Sequence, residues 1–304
     1  MLYYNMPMLT HPREIGMRQL SAFAVLAALL AFPAAGWADG PISVVAAENF
    51  YGDVAQQIGG PDVKVTSILT NPDQDPHLFE ASPSVARSIA AAQIVVYSGI
   101  DYDPWMEKLL SASRSAHRRT LVVADLAARK VGDNPHVWYD TQTVLAYAAV
   151  LTEVLAADRP AAAAGFRQRL TQFQAAMQPI QAKIATLRER VAGTPATATE
   201  PIFGYMFDSL GMLSRNQPFQ LSVMNNTEPS ASDIAAFEND LKTRQVRLLV
   251  YNSQATDPTA ERMQKIAKDA GVPVVGATET EPAGETYQAW MMGEIDAVDQ
   301  ALPK

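Results

Sequence analysis

The stretch FRQRLTQFQAAMQPIQAKIATLRERV, residues 166–191, decides the fold of this chain. Its apolar residues recur at alternating spacings of four and three, which is the pattern of one apolar face on a long helix. These residues are Phe166, Leu170, Phe173, Met177, Ile180, Ile184, Leu187 and Val191. About thirty residues at a rise of about 1.5 Å form a rod of roughly 45 Å, which is long enough to run past two domains.

Pro179 lies inside this stretch, where it removes one backbone hydrogen bond and is expected to kink the helix. A coiled-coil dimer is the alternative interpretation of the apolar stripe. Because a proline interrupts the heptads, the stretch would make a weak zipper. We therefore expect a buried helix in a monomeric protein.

Strand-like and helix-like runs alternate on both sides of the long helix. Before it, the strand-like runs are residues 42–46, 63–69, 94–98 and 121–124, with helical runs at 51–58, 83–92 and 141–157. After it, the strand-like runs are 246–251 and 272–275, with helical runs at 203–210, 232–242, 259–270 and 287–302. Such alternation is typical of βαβ units. It predicts an α/β fold of two small lobes with mostly parallel sheets, residues 39–158 and 194–304, joined by one long rigid helix, residues 159–193.

The first 38 residues have the organisation of a secretory signal peptide. Arg13 and Arg18 precede an apolar run, residues 20–32, and small residues follow it up to Ala38. This run is too short to span a bilayer, and no later segment is apolar enough to do so. We expect translation to start at Met17 and the signal peptide, residues 1–38, to be removed after Ala38.

The chain contains no cysteine, which excludes a disulfide framework and leaves no thiol to carry a lipid. We therefore expect a periplasmic protein that is not a lipoprotein and has no membrane anchor. The net charge is −8, and it becomes about −9 without residues 1–38, which contribute +1. An acidic protein is a poor partner for nucleic acid, so we expect no nucleic-acid binding. The same charge is compatible with gathering cations.

Two of the four histidines lie in matching settings, Asp75-Pro76-His77 and Asn134-Pro135-His136. Each follows a strand-like run and precedes a helix-like one, and loops at the carboxyl ends of strands are where open α/β sheets bind ligands. The preceding proline restricts the backbone and lowers the entropy cost of fixing the imidazole. Either histidine alone is as readily a structural loop residue. Two in the same context favour a shared metal ion, because imidazole is the commonest metal ligand.

Three glutamates stand at corresponding strand-to-helix junctions in the second lobe. They are Glu200, Glu279 and Glu281. Taken alone, each is more readily a solvated loop carboxylate. Their position at the ends of predicted strands makes them candidates to complete the site.

With these residues in place, the chain resembles the metal-binding solute-binding proteins of ABC importers, which deliver zinc, manganese or iron. The resemblance covers essentially the whole chain after the signal peptide. Its motifs are Ala47-Glu48-Asn49-Phe50, Asp75-Pro76-His77, Asn134-Pro135-His136-Val137-Trp138, Phe203-Gly204-Tyr205, Glu228-Pro229-Ser230 and Ala270-Gly271-Val272-Pro273-Val274. It implies one divalent ion bound between the two lobes, and the membrane permease of an ABC importer as partner.

The resemblance also implies the ligands. His77 and His136 match the first two, and Glu200 stands where many members have a third histidine and some a glutamate. The fourth is usually an aspartate, and this chain offers a glutamate instead. We favour Glu279, which directly ends the predicted strand, with Glu281 as the alternative.

Two imidazoles and two carboxylates are a harder set of donors than three imidazoles and one carboxylate, which favours Mn²⁺ or Fe²⁺. Raw affinity nevertheless rises towards Zn²⁺ along the divalent series. The chain also lacks the long histidine-rich loop of many zinc-specific relatives. The cargo therefore stays open between Zn²⁺ and Mn²⁺, with Fe²⁺ as a further candidate.

Two other functions stay open. A periplasmic metallohydrolase could use the same ligands, but four protein ligands would fill the position that a catalytic site keeps open. No nucleophile elbow or His-Glu-x-x-His helix is present in the sequence. A binding protein for an organic solute would need no metal. We expect a metal-binding protein that is not an enzyme.

Overall fold

The computed structural model describes residues 40–71, 79–255 and 257–302, which form two four-stranded sheets. The first sheet consists of β1 (Ile42–Glu48), β2 (Val63–Leu69), β3 (Ile94–Tyr97) and β4 (Arg119–Val122). The second consists of β5 (Pro195–Ala198), β6 (Leu213–Arg215), β7 (Leu249–Asn252) and β8 (Val274–Ala277). The strand orders, β2-β1-β3-β4 and β6-β5-β7-β8, follow one pattern, and the paired strands run parallel.

In both lobes the helices either connect successive strands or follow the last strand. Those of the first lobe are α1 (Asn49–Gly59), α2 (Pro83–Ala91), α3 (Pro104–Ala112), α4 (Val123–Leu126) and α5 (Thr141–Asp158). The linking helix is α6 (Ala163–Val191). Those of the second lobe are α7 (Gly204–Leu210), α8 (Gln217–Met224), α9 (Ala231–Lys242), α10 (Pro258–Ala270) and α11 (Tyr287–Ala301). Single 3₁₀ turns lie at Gly60–Asp62, Val137–Tyr139, Pro160–Ala162 and Pro201–Phe203.

The predicted long helix is confirmed as α6, which is 29 residues long and contains Pro179. Six of the eight stripe residues are buried, and Leu170 and Ile184 are partly buried against the same core. The helix packs against α1 and α5 of the first lobe and against α7 and α11 of the second. Full burial of a side chain of this size contributes about 1.5–3 kcal/mol, so α6 is held along its length by both lobes.

One hydrophobic core extends through both lobes. The same cluster of buried residues contains Ile42 of β1, Phe173 of α6 and Ile295 of α11. Two smaller clusters cover the other faces of the two sheets, one around Val95 and one around Leu249. The α/β fold with two lobes and a long linking helix is therefore confirmed, whereas the division of the chain at residues 158 and 194 stays a prediction.

The strand predicted at residues 121–124 is displaced. Strand β4 spans Arg119–Val122, and the chain then turns directly into α4. The prediction was wrong at its end because Val123 and Ala124 belong to this short helix. Both residues are fully buried there, and an apolar run is compatible with a buried helix as well as with a strand. The backbone N–H of Ala124 donates to the carbonyl of Ser98 at 3.0 Å, so the chain stays close to the end of β3 as it enters α4.

The topology fixes where a ligand would bind. In each lobe the chain leaves the first strand for one neighbour and then crosses to the other side, so the direction of winding reverses between β1 and β3 and between β5 and β7. Ligands of open α/β sheets bind at the carboxyl ends of strands beside such a reversal. Glu48 ends β1 and Asn252 ends β7, and both are buried at these points.

The predicted signal peptide, residues 1–38, lies outside the described residues. Within the described ranges, no helix is both long and apolar enough to cross a membrane.

Candidate metal site

His136 is fully buried in the loop between α4 and α5, immediately before the Val137–Tyr139 turn. Its ring Nδ1 lies 2.7 Å from Oδ1 of Asn134, and its backbone N–H donates to the same oxygen at 3.1 Å. The amide nitrogen of Asn134 donates to the carbonyl of Pro201, which can only accept, so Oδ1 faces the imidazole. Nδ1 therefore carries the proton and donates it to Asn134. Nε2 then keeps its lone pair, as a metal ligand requires.

Glu279 lies opposite this imidazole, directly after β8, and is fully buried. Its Oε2 is 3.8 Å from Nε2 of His136 and accepts a hydrogen bond from the hydroxyl of Tyr102 at 2.8 Å. Its Oε1 accepts from the side-chain amide of Asn252. The backbone N–H of Glu279 donates to Oε1 of Gln254 at 2.6 Å. Residues of both lobes thus fix the position of one carboxylate.

Glu200 is 3% exposed and follows β5, which is separated from β8 by β7, the strand that ends at Asn252. The amide nitrogen of Asn252 lies 3.3 Å from its Oε2, while the same nitrogen bonds to Glu279. Asn252 therefore brings the two second-lobe carboxylates together. The sequence does not mark Asn252 as a site residue, because a lone asparagine has no distinguishing motif or spacing. Its position at the end of a buried strand is the one signal that pointed to it.

Glu281 lies in a different environment from Glu279. Its backbone N–H donates to Oδ1 of Asn49 at 3.1 Å, and its carbonyl accepts from the amide nitrogen of the same residue at 2.6 Å. Burial, with the charges of Asp53 and Glu285, raises the pKa of the Glu281 carboxyl to about 9. The structure thus brings Glu279 to His136 and associates Glu281 with Asn49 and Asp53.

His77, the other predicted imidazole ligand, lies outside the described residues. Within residues 40–71, 79–255 and 257–302, no three or more His, Cys, Asp or Glu side chains are grouped so that they could hold a metal ion. The described part of the chain therefore contains a pair, His136 and Glu279, with Glu200 linked to it through Asn252. The complete set of four ligands stays a prediction.

Two further buried carboxyl groups, Glu48 and Asp103, lie near this pair. Asp103 accepts hydrogen bonds from the backbone N–H groups of Ser98 at 2.7 Å and Gly99 at 2.9 Å. Burial raises the pKa of Asp103 to about 7. Burial, followed by the charge of Asp103, raises the pKa of Glu48 well above its usual value, and the charge of Glu279 adds to this. A carboxyl group buried in this way is stable only when a proton or a cation compensates its charge.

Aromatic side chains close the site from within the first lobe. The ring of Trp138 is 5.2 Å from that of His136 and 4.8 Å from that of Tyr102, measured between centroids. Trp138 and Tyr139 are fully buried. Tyr139 also donates to the carbonyl of Thr278 at 2.8 Å, which places a first-lobe hydroxyl against the residue before Glu279. These aromatic residues are part of the hydrophobic core beside His136.

In this two-lobed fold an imidazole of the first lobe faces a carboxylate of the second. The chain matches the metal-binding solute-binding proteins of ABC importers. A family model described as "ZnuA: Zinc-uptake complex component A periplasmic" matches residues 44–301. The chain belongs to this family, as the sequence motifs predict.

Individual relatives are distant but cover the chain. It is 23% identical over 292 residues to the metal ABC transporter substrate-binding lipoprotein SloC of Streptococcus mutans, covering 87% of this chain and 91% of the relative. It is 23% identical over 311 residues to the manganese-binding lipoprotein MntA of Bacillus subtilis, covering 94% and 100%. The fold matches that of the periplasmic zinc-binding protein TroA of Treponema pallidum with a TM-score of 0.74 at 20% identity, covering 88% of this chain and 100% of that one.

These relatives correct the predicted localisation. The prediction of a periplasmic protein that is not a lipoprotein and has no membrane anchor is wrong, because the curated relatives are named lipoproteins. It depended on the absence of cysteine from the sequence. The absence of cysteine concerns only a lipid attached through a thiol, and it does not decide the localisation of the protein.

Proposed function

We propose that this protein captures one divalent transition-metal ion between its lobes and delivers it to the membrane permease of an ABC importer. The observation that carries the proposal is the 3.8 Å approach of Nε2 of His136 to Oε2 of Glu279, across the junction of the lobes. A neutral imidazole and a carboxylate so placed are suitable donors to a single cation. Family membership supports the transport role.

The proposed ligands are His77, His136, Glu200 and Glu279. His136 and Glu279 are supported by their mutual approach, and Glu200 by its link to Glu279 through Asn252. His77 is proposed because its Asp75-Pro76-His77 setting matches that of His136. Glu281 is not favoured, since its contacts are with Asn49.

The proposed cargo is Zn²⁺ or Mn²⁺, with Fe²⁺ as a further candidate. Two carboxylates favour the harder Mn²⁺ and Fe²⁺, whereas the divalent series favours Zn²⁺ in raw affinity. The names of the relatives include both zinc and manganese. Competition titration of Zn²⁺ against Mn²⁺ on the metal-free protein, together with the metal content of freshly purified protein, identifies the cargo.

We further infer that the protein is not an enzyme and acts as a monomer. Four protein ligands would leave no open position for an activated water. The apolar face of α6, the candidate surface for a coiled-coil dimer, is buried within the protomer. Protein that purifies without a divalent ion and takes up none in titration would overturn the proposed function. An organic solute would then be the alternative cargo.

A further inference from the structure

Asn134 makes contacts in two directions from the loop before His136. Its side-chain Oδ1 accepts from the backbone N–H of His136 at 3.1 Å and lies 2.7 Å from ring Nδ1. Its side-chain nitrogen donates to the carbonyl of Pro201 at 2.6 Å, and its own carbonyl accepts from the hydroxyl of Tyr205 at 2.7 Å. One asparagine of the first lobe is thus bonded to the loop and helix that follow Glu200 in the second.

The contact of Asn134 with His136 determines the tautomer of the imidazole. A proton held on Nδ1 by Oδ1 of Asn134 leaves the lone pair on Nε2, the nitrogen that faces Glu279. Hydrogen bonds of this kind fix both the tautomer and the orientation of a ligating histidine. His136 is fully buried, so no solvent molecule can replace Oδ1 of Asn134 as the acceptor for Nδ1–H. Without this acceptor the ring can take the other tautomer.

The contact of Asn134 with the second lobe positions the loop that carries Glu200. Pro201 directly follows Glu200, so a bond to its carbonyl restrains the peptide that carries the predicted ligand. This approach depends on the absence of a side chain at residue 204. A Cβ built on Gly204 would lie 2.7 Å from the amide nitrogen of Asn134, closer than such atoms approach. Gly204 and Asn134 therefore form a matched pair across the junction of the lobes.

We propose that Asn134 is a positioning residue that sets His136 and the Glu200 loop together, so that the ligands of the two lobes are presented as one unit. The inference rests on the proposed function, because it assigns the role of a residue to the same site. The two ends of the Asn134 amide have separate roles: the oxygen accepts from the imidazole, and the nitrogen donates to the second lobe.

Two substitutions at residue 134 separate these tasks. Asn134→Asp keeps an oxygen for the imidazole and removes the donor to Pro201, whereas Asn134→Ala removes both. Gly204→Ala keeps Asn134 and displaces it. The control for a glycine change is Gly293→Ala, at a helical position with open space around it, and the control for an asparagine change is Asn239→Ala, which is exposed.

The readouts are the ¹⁵N shifts of the His136 ring in the metal-free protein, assigned with His136→Ala, and Zn²⁺ affinity by competition. Asn134→Ala should move the ring away from the Nδ1–H tautomer and weaken Zn²⁺ binding by about 10- to 100-fold. Asn134→Asp should keep the tautomer and still weaken binding. Gly204→Ala should weaken binding, and both controls should match the wild type.

Unchanged ring shifts in Asn134→Ala would overturn the inference. So would wild-type affinity in both Asn134→Asp and Gly204→Ala. If Asn134→Ala does not fold, the other two variants decide, because each leaves an acceptor beside the ring. A wild-type protein that binds neither Zn²⁺ nor Mn²⁺ would instead overturn the proposed function, while the ring shifts would still test the role of Asn134.

Discussion

The hydroxyl of Tyr102 donates to Oε2 of Glu279 at 2.8 Å, from the first lobe to the second. The same oxygen faces the imidazole of His136. Burial, and then the charge of Glu279, raises the pKa of Tyr102 well above its usual value, so the hydroxyl stays protonated and remains a donor. The carboxylate is therefore oriented before any ion arrives, which reduces the ordering that binding has to supply.

Removal of that hydroxyl should weaken ion binding without unfolding the protein. Tyr102→Phe keeps the ring and loses one hydrogen bond to a buried carboxylate, which corresponds to about tenfold in affinity for Zn²⁺. Competition titration measures this loss. Tyr147→Phe is the matched control, because its buried hydroxyl donates to the carbonyl of Tyr51 within the first lobe. An equal loss of affinity in both variants would indicate a general loss of packing.

The two glutamates after β8 should differ in their effect on thermal stability. A bound ion raises the free energy of unfolding by RT ln(1 + [L]/Kd), so weaker binding gives a smaller rise in melting temperature with Zn²⁺. Glu279→Gln and Glu200→Gln should each reduce that rise. Glu281→Gln should not, because the raised pKa of Glu281, about 9, keeps its carboxyl neutral at pH 7 and glutamine resembles that form. A large loss from Glu281→Gln with none from Glu279→Gln would reverse the assignment.

Both predicted imidazoles should be necessary for tight binding. His77→Ala or His136→Ala removes a donor that no neighbouring group replaces, so calorimetry should show strongly weakened binding of Zn²⁺ in each variant. His117→Ala is the control, since His117 is exposed on the surface. Unchanged affinity in both ligand variants would mean that the site lies elsewhere.

Glu294 should make the metal-free protein less stable as the pH rises. Burial raises the pKa of its carboxyl from 4.5 to about 7, so between these values the folded state keeps a proton that the unfolded state releases. The free energy of unfolding therefore falls through this window. Glu294→Gln keeps an oxygen acceptor for Trp290 and the Thr278 N–H and cannot ionise. Urea denaturation should show it more stable than the wild type at pH 8, by on the order of 2 kcal/mol, and equal near pH 4. The same difference at both pH values would exclude ionisation as the cause.

The lobes should change their relative orientation only slightly on ion binding. Wide bending of α6 would expose its buried Phe and Leu side chains, at about 25 cal/mol per Å² of apolar surface. Small-angle scattering of the metal-free and Zn²⁺-loaded protein should therefore give nearly the same radius of gyration. A decrease of more than about 1 Å would indicate hinge closure and would exclude a rigid linking helix.

The elements that the sequence predicts best are those whose own pattern sets their structure. The stripe of α6 and the caps of α2 and α5 are local: Ser82 accepts from the N–H of Val85, and Asp140 from that of Gln142. Strand β5, with the sequence PATA, has no such pattern. It is a strand because it pairs with β6 on one side and β7 on the other, which no local signal reveals.

The site shows the same limit. The sequence supplies His136 and Glu279, because a Pro-His loop and a glutamate after a strand are visible as motifs. It favours Glu279 over Glu281 only by its place at the end of the predicted strand, since residues two apart in an extended segment face the same side. The two glutamates differ in environment because Asn49, 232 positions away in the chain, binds the backbone of Glu281. Asp103 and Asn252 become visible as site residues only when distant strands are assembled.

The core that continues through α6 has a consequence for how the protein comes apart. Ile42 near the start of the described chain and Leu302 near its end belong to one cluster of buried residues, and α6 supplies part of that cluster to each lobe. Neither lobe can melt alone without leaving an apolar face of the helix in water. Unfolding is therefore expected as one cooperative transition. An ion held at the lobe junction would slow hydrogen exchange at backbone amides throughout that core, including amides far from any ligand.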